Sequence, residues 1–170
     1  MEEEIVNRVA KSPLVTFDLE SYYPEGNRYE VDLSQWLYEG LILKEKDFRK
    51  AIQEWDTDYL KGSFVALYSS TDAIIPGWAY MLVSAKLQPV TQKVIVGSLD
   101  DLETILYAEI IQNIDTSEFE GKPIIIKGCA HKPVPQSAYV LITQKLLPVA
   151  KSVMYGEACS SVPIYKQTRK

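Results

Sequence analysis

The chain repeats itself. Residues 64–97 (FVALYSSTDAIIPGWAYMLVSAKLQPVTQKVIVG) align without a gap on residues 123–156 (PIIIKGCAHKPVPQSAYVLITQKLLPVAKSVMYG), an offset of 59, with ten of 34 positions identical. Pro76 pairs with Pro135, Ala79 with Ala138, Tyr80 with Tyr139, Leu87 with Leu146, Pro89 with Pro148 and Gly97 with Gly156. The same offset reaches back to Asp56, Thr57 and Gly62, which match Asp115, Thr116 and Gly121. A recurring pattern of elements constrains a fold more than the identities alone do. Each copy has a short apolar strand (64–68 or 123–127), a polar loop, a helix (77–88 or 136–147) and a second strand (93–96 or 152–155). Pro76 and Pro135 stand where a helix accepts proline at its start, and Pro89 and Pro148 where a helix must stop.

Strands alternating with helices of this length predict an α/β fold with a mostly parallel sheet flanked by helices. We therefore expect a single domain over residues 1–170 that contains two diverged βαβ-type repeats at an offset of 59 residues. An N-terminal segment (1–44) precedes copy one (about 45–97) and copy two (about 99–156), and a tail (157–170) follows. Helical spacing of Phe48, Ala51, Ile52 and Trp55 predicts a helix over 45–55, and a broad apolar face predicts another over 99–113. Asp100 and Asp101 favour the start of the second through its dipole. In the N-terminal segment, RYEVDL (28–33) suits an edge strand, SQWLYE (34–39) a short helix and residues 22–26 a turn. Asp18 and Glu20 flank Leu19 with the alternation of a solvent-facing strand.

Composition narrows the function classes. A net charge of −5 argues against a general nucleic-acid binder. The Met-Glu-Glu-Glu start is unlike a signal peptide, and no apolar run approaches the length of a membrane span. The expected location is cytoplasmic, where the two cysteines, Cys129 and Cys159, are free thiols or ligands rather than a bridge.

Ligands of open α/β sheets bind beyond the carboxyl ends of the strands. Three loops are expected there: Ser69–Asp72, Gly128–Lys132 and Gly156–Ser161. The repeat pairs Ser70 with Cys129 and Asp72 with His131. Three readings compete. In the first, Cys129, His131 and Cys159, with Asp72 as a fourth ligand, hold zinc, iron or an iron–sulfur species, since thiolate and imidazole suit those metals. In the second, Cys129 reacts as a thiolate beside Lys127, His131 or Lys132. In the third, the cysteines are structurally inert and the loops serve a non-catalytic small-ligand or protein interaction domain. Trp78, beside Pro76, and the repeated Tyr80 and Tyr139 are then the candidate ligand-binding residues. An enzyme using the polar loops without metal is a further possibility, and internal duplication makes a homo-oligomer thinkable.

The segments EIVNRVAKSPLVTFDLESYYPEG, WLYEGLILKEKDFR, STDAIIPGWAYMLV, KGCAHKPVPQSAYV and YGEACSSVPIYK together resemble the DUF2480 family, a domain of unknown function found mainly in Bacteroidetes. The resemblance covers residues 2 to about 166. The family motif YGEPCS has Ala158 in place of its proline here, with Cys159 retained. The family has no established activity. Its genes often lie near those of iron–sulfur cluster assembly, so the resemblance implies iron–sulfur assembly proteins as partners and favours the cysteines as the residues to test. The expectation is a cytoplasmic accessory protein that binds a metal, an iron–sulfur species or a thiol partner through its cysteine loops. The alternative is the interaction domain with inert cysteines.

Overall fold

A computed structural model describes residues 13–128 and 131–168. They form an α/β fold with two sheets, each flanked by helices, in two compact units. One unit is built from residues 24–103 and the other from the described parts of 1–23 and 104–170.

The first unit contains β2 (Arg28–Asp32), α1 (Glu45–Glu54), β3 (Phe64–Tyr68), α2 (Gly77–Leu87), β4 (Lys93–Val96) and the first turn of α3 (Leu99–Asn113). Its sheet runs β2-β3-β4, all parallel, with Val31 opposite Leu67 and Leu67 opposite Val96. β3 reads FVALY without alternation because Phe64 to Leu67 are all buried, as a central strand covered on both faces requires. α1 buries Phe48 and Ile52, one turn apart, and α2 buries Ala79, Val83 and Leu87 at the same spacing. α3 opens with a capping box. Ser98 N–H donates to the Asp101 carboxylate at 2.8 Å, and Asp101 N–H donates back to the Ser98 hydroxyl at 3.2 Å.

The second unit contains β1 (Val15–Phe17), the rest of α3, β5 (Pro123–Ile126), α4 (Gln136–Leu146), β6 (Ser152–Glu157) and β7 (Ser160–Lys166). Its sheet runs β1-β5-β6-β7, parallel except for the antiparallel β6–β7 hairpin. The core gathers Phe17, Tyr107, Phe119, Ile124, Ile142 and Val153.

Both middle helices begin after a proline in extended backbone, Pro76 (φ −70°, ψ 149°) and Pro135 (φ −69°, ψ 149°). Lys86 donates to the Gln53 carbonyl at the end of α1 at 3.1 Å. Lys145 donates to the carbonyls of Ile111 and Gln112 near the end of α3 at 2.7 and 2.6 Å. Each ammonium satisfies carbonyls that a helix end leaves unpaired.

The N-terminal segment supplies the strand that flanks β3 in one unit and β5 in the other. Asp18 is not part of a strand: β1 ends at Phe17, and the Asp18 carboxylate accepts the Glu20 N–H at 3.0 Å to start a 3-10 turn. The expected third loop and tail are also different, because Gly156 and Glu157 pair with Ser161 and Ser160 in a β6–β7 hairpin whose turn is Ala158 and Cys159.

Candidate functional site

In the first unit, β2 and β3 end side by side and their following loops are tied together. The Asp32 carboxylate accepts the Ser34 N–H at 2.9 Å, the Ser70 N–H at 3.1 Å and the Ser70 hydroxyl at 2.5 Å. Burial pushes the Asp32 pKa up, but the hydrogen bonds from Ser70 and Ser34 outweigh it and hold the group at about 2. The Thr71 hydroxyl donates to the Gly40 carbonyl at 2.7 Å, so the same loop also grips the turn before α1.

That turn is a tight reversal. Glu39 and Gly40 take φ of 51° and 71°, and Tyr38 N–H donates to the Ile42 carbonyl at 2.8 Å. The reversal turns Leu41 (57 % exposed) and Ile42 (53 %) outward, and the loop after β3 adds Ile74 (91 %). Together with Pro76 and Trp78 they line an open groove of about 640 Å³, and Asp72 and Glu45 place two carboxylates on its rim. The Trp78 ring is fixed edge-on to buried Phe48, centroids 5.8 Å apart, with the Arg49 guanidinium 5.2 Å from its centroid.

In the second unit, an ion pair joins the ends of β1 and β5. Lys127 donates to the Asp18 carboxylate at 3.1 Å. That hydrogen bond, then the Asp18 charge, raises the Lys127 pKa against a smaller opposing effect of burial. The Glu20 carboxylate accepts the backbone N–H of His131 and, at 3.2 Å, that of Lys132. Tyr139 meets Tyr155 edge-on at 5.8 Å. The Tyr155 ring lies so close to Gly128 that a Cβ there would sit 2.7 Å from the Tyr155 Cζ and would displace the ring tip.

The structure overturns the expected metal chemistry. Among the described residues there is no group of three His, Cys, Asp or Glu side chains able to hold a metal ion. Cys159 is a free, exposed thiol in the β6–β7 turn, and Asp72 belongs to the first unit while His131 and Cys159 belong to the second. Cys129 lies outside the described residues. A zinc, iron or iron–sulfur cofactor on Cys129, His131, Cys159 and Asp72 is therefore withdrawn, and with it the accessory role built on the cysteine loops. The physical reason is that, among the described residues, His131 follows β5 and Cys159 lies in the β6–β7 turn with no third donor gathered beside them, whereas a tetrahedral site needs its donors about 2.0–2.3 Å from one centre.

Of the other candidate residues, Trp78 and Asp72 line one groove. Tyr80 lines a different groove in the same unit, and Tyr139 belongs to the second unit. Sequence reasoning missed Leu41, Ile42 and Ile74. The turn signal at Gly40 directly before Leu41 and Ile42 was the available one, since residues at a turn lie at the surface.

The molecule is thus an α/β protein of parallel-sheet units with an apolar groove at the strand ends of one of them. The chain belongs to the DUF2480 family, whose model, described as a protein of unknown function, matches residues 3–167. No curated protein and no solved structure matches it. Among the described residues no helix is long and apolar enough to cross a membrane.

Proposed function

We propose that the protein is a non-catalytic, cytoplasmic interaction domain that uses the Trp78 groove to hold a segment of a partner protein. The observation that carries this reading is the exposure of Leu41, Ile42 and Ile74 around a fixed indole. Aliphatic side chains clustered in water beside a concave aromatic floor mark interaction sites. The rim carboxylate of Asp72 suits a segment with an apolar anchor flanked by lysine or arginine, while Glu45 is already paired with Arg49 at 2.9 Å. The net charge of −5 also favours a basic protein segment over nucleic acid.

The whole chain reads as one domain that contains two diverged copies at the 59-residue offset, about 45–97 and about 99–156. Several equivalent contacts support that reading. The two helices after proline begin 59 positions apart, at Gly77 and Gln136. Lys86 and Lys145 grip the ends of the preceding helices, and Gly62 and Gly121 donate to the carbonyls of Val90 and Val149 at 2.7 and 2.8 Å. The copies differ at their strand ends, where one has the Leu41, Ile42 and Ile74 groove and the other the Lys127–Asp18 ion pair, as expected if one end has been specialised for binding.

The test is a titration of ¹⁵N-labelled protein with a short peptide of alternating leucine and lysine, followed at the Trp78 indole resonance, which is assigned with Trp78→Phe. A saturable shift that weakens roughly tenfold in Ile74→Asp and in Asp72→Lys supports the groove. No shift, or an equal shift in both variants, refutes it.

A further inference from the structure

The two sheets have four outer strands, β1 and β7 in one unit and β2 and β4 in the other. An outer strand offers unpaired N–H and C=O groups to other chains. Proteins blunt such edges with shortness, charge, proline or bulges. β1 has three residues, β2 carries exposed Glu30 at its centre, and β7 contains Pro163 and a register shift against Val153 and Met154. β4 has four residues and opens on Lys93, but across Val94, Ile95 and Val96 it carries no charge, proline or bulge.

Among the described strands, β4 has no neighbour on the side away from β3. Gly97 N–H donates to the Leu67 carbonyl at 2.9 Å, and Leu67 lies opposite Val96. Alternate residues of a parallel strand face one neighbour, so Val94 and Val96 turn their N–H and C=O groups away from β3. Val96 is 58 % exposed, and beside it α2 presents Met81 (72 % exposed) and Ala85, one turn apart. With Tyr80 and Val94 they line an apolar groove of about 490 Å³. Lys86 is the only charged residue of α2, and a helix apolar nearly all round is normally covered. The position equivalent to Ala85 in α4 is Gln144.

The other unit shows what covers such an edge. There β6, the counterpart of β4 in strand order, is paired antiparallel with β7, and Tyr155 stands opposite Val162. We infer that the β4 edge is an interface with a second copy of this chain, in which the two β4 strands pair antiparallel about a two-fold axis near Ile95. A strand edge paired with itself in this way is self-complementary, and each copy supplies the β-branched residues that the other needs. The sheet becomes β2-β3-β4-β4-β3-β2, with the two α2 helices side by side and Met81 and Ala85 facing their equivalents. This interface does not involve the Trp78 groove, so its failure leaves the proposed function standing.

Light scattering on the full chain as it elutes from a sizing column, over a range of concentrations, gives the mass. Twice the chain mass is expected at high concentration, with Val96→Lys and Met81→Glu each weakening association roughly tenfold or more. Both positions are exposed, so both variants keep the fold, checked by circular dichroism. Amide exchange gives the local readout: Val94 and Val96 N–H groups slow with concentration in the wild type and not in the variants. A wild type that stays monomeric at every concentration, including one that pairs only with peptides of other proteins, overturns the proposal. A dimer that persists unchanged in both variants overturns it too.

Discussion

Asp32 and Ser70, 38 residues apart, are joined by two hydrogen bonds to one carboxylate, at 3.1 Å from the Ser70 N–H and 2.5 Å from its hydroxyl. The same carboxylate starts the 3-10 turn after β2 through Ser34. Replacing Asp32 by Ala removes a cap and a loop tie together and is expected to cost about 1–2 kcal/mol in urea unfolding. The pH dependence follows from the sign of the shift. The folded pKa, about 2, lies below the ordinary 3.8, so the contribution is present above 3.8 and is lost as pH falls toward 2. Asp32→Asn should flatten the acid limb of the stability curve between those values; an unchanged limb would show that other carboxylates set it.

Arg28 and Glu103 form a largely buried ion pair at 2.7 Å, and Arg28 also donates to the Pro24 carbonyl at 2.8 Å and stacks over Phe64 at 4.7 Å. Removing one partner takes away the other's counter-charge at 2.7 Å in a poorly solvated site. Arg28→Ala and Glu103→Gln are each expected to lower stability by about 3 kcal/mol. Denaturant midpoints measure this, and a loss below 1 kcal/mol in both would mean that water reaches the pair freely.

Gly62 and Gly121 adopt φ of 71° and 68°, and a Cβ on either would meet no atom within 4 Å. The cost of alanine there comes from the backbone alone. Gly62→Ala and Gly121→Ala should therefore cost the same, about 1 kcal/mol each. Sharply unequal losses would count against treating the two turns as equivalent parts of a repeat.

Cys159 is exposed and forms no disulfide among the described residues. Cys159→Ser should change stability by less than about 0.5 kcal/mol. The zinc and iron content of the purified protein should be the same with and without the thiol. A metal that vanishes with the thiol would reopen ligand chemistry at this turn.

Much of the fold was legible because the repeat supplied its own control. Pro76 and Pro89 bracket one helix, Pro135 and Pro148 the other, and both helices fall between them. β7 was not legible. Its residues are almost all exposed, so no burial alternation marks it, and Pro163 argues against a strand unless the strand is at an edge. The Asp18–Glu20 alternation misled for a local reason, since a carboxylate that caps its own chain two residues on looks the same in sequence as one on a strand face. The site was legible only in part. Trp78 and Asp72 stand out by residue type, whereas Leu41, Ile42 and Ile74 look like core residues until the turn at Gly40 is placed. The cysteine reading failed because spacing in sequence says nothing about which turns converge.

Pro163 and the bulge in β7 also bear on how far this protein can assemble. A sheet grows without limit only if both of its margins accept new strands. Here one sheet is closed off by β7 and the three-residue β1, and the other is charged at the centre of β2, which leaves the Val94–Val96 stretch of β4 as the apolar margin among the described strands. Self-pairing through a single margin uses it up in the first encounter, so assembly stops at a closed pair instead of propagating into fibrils.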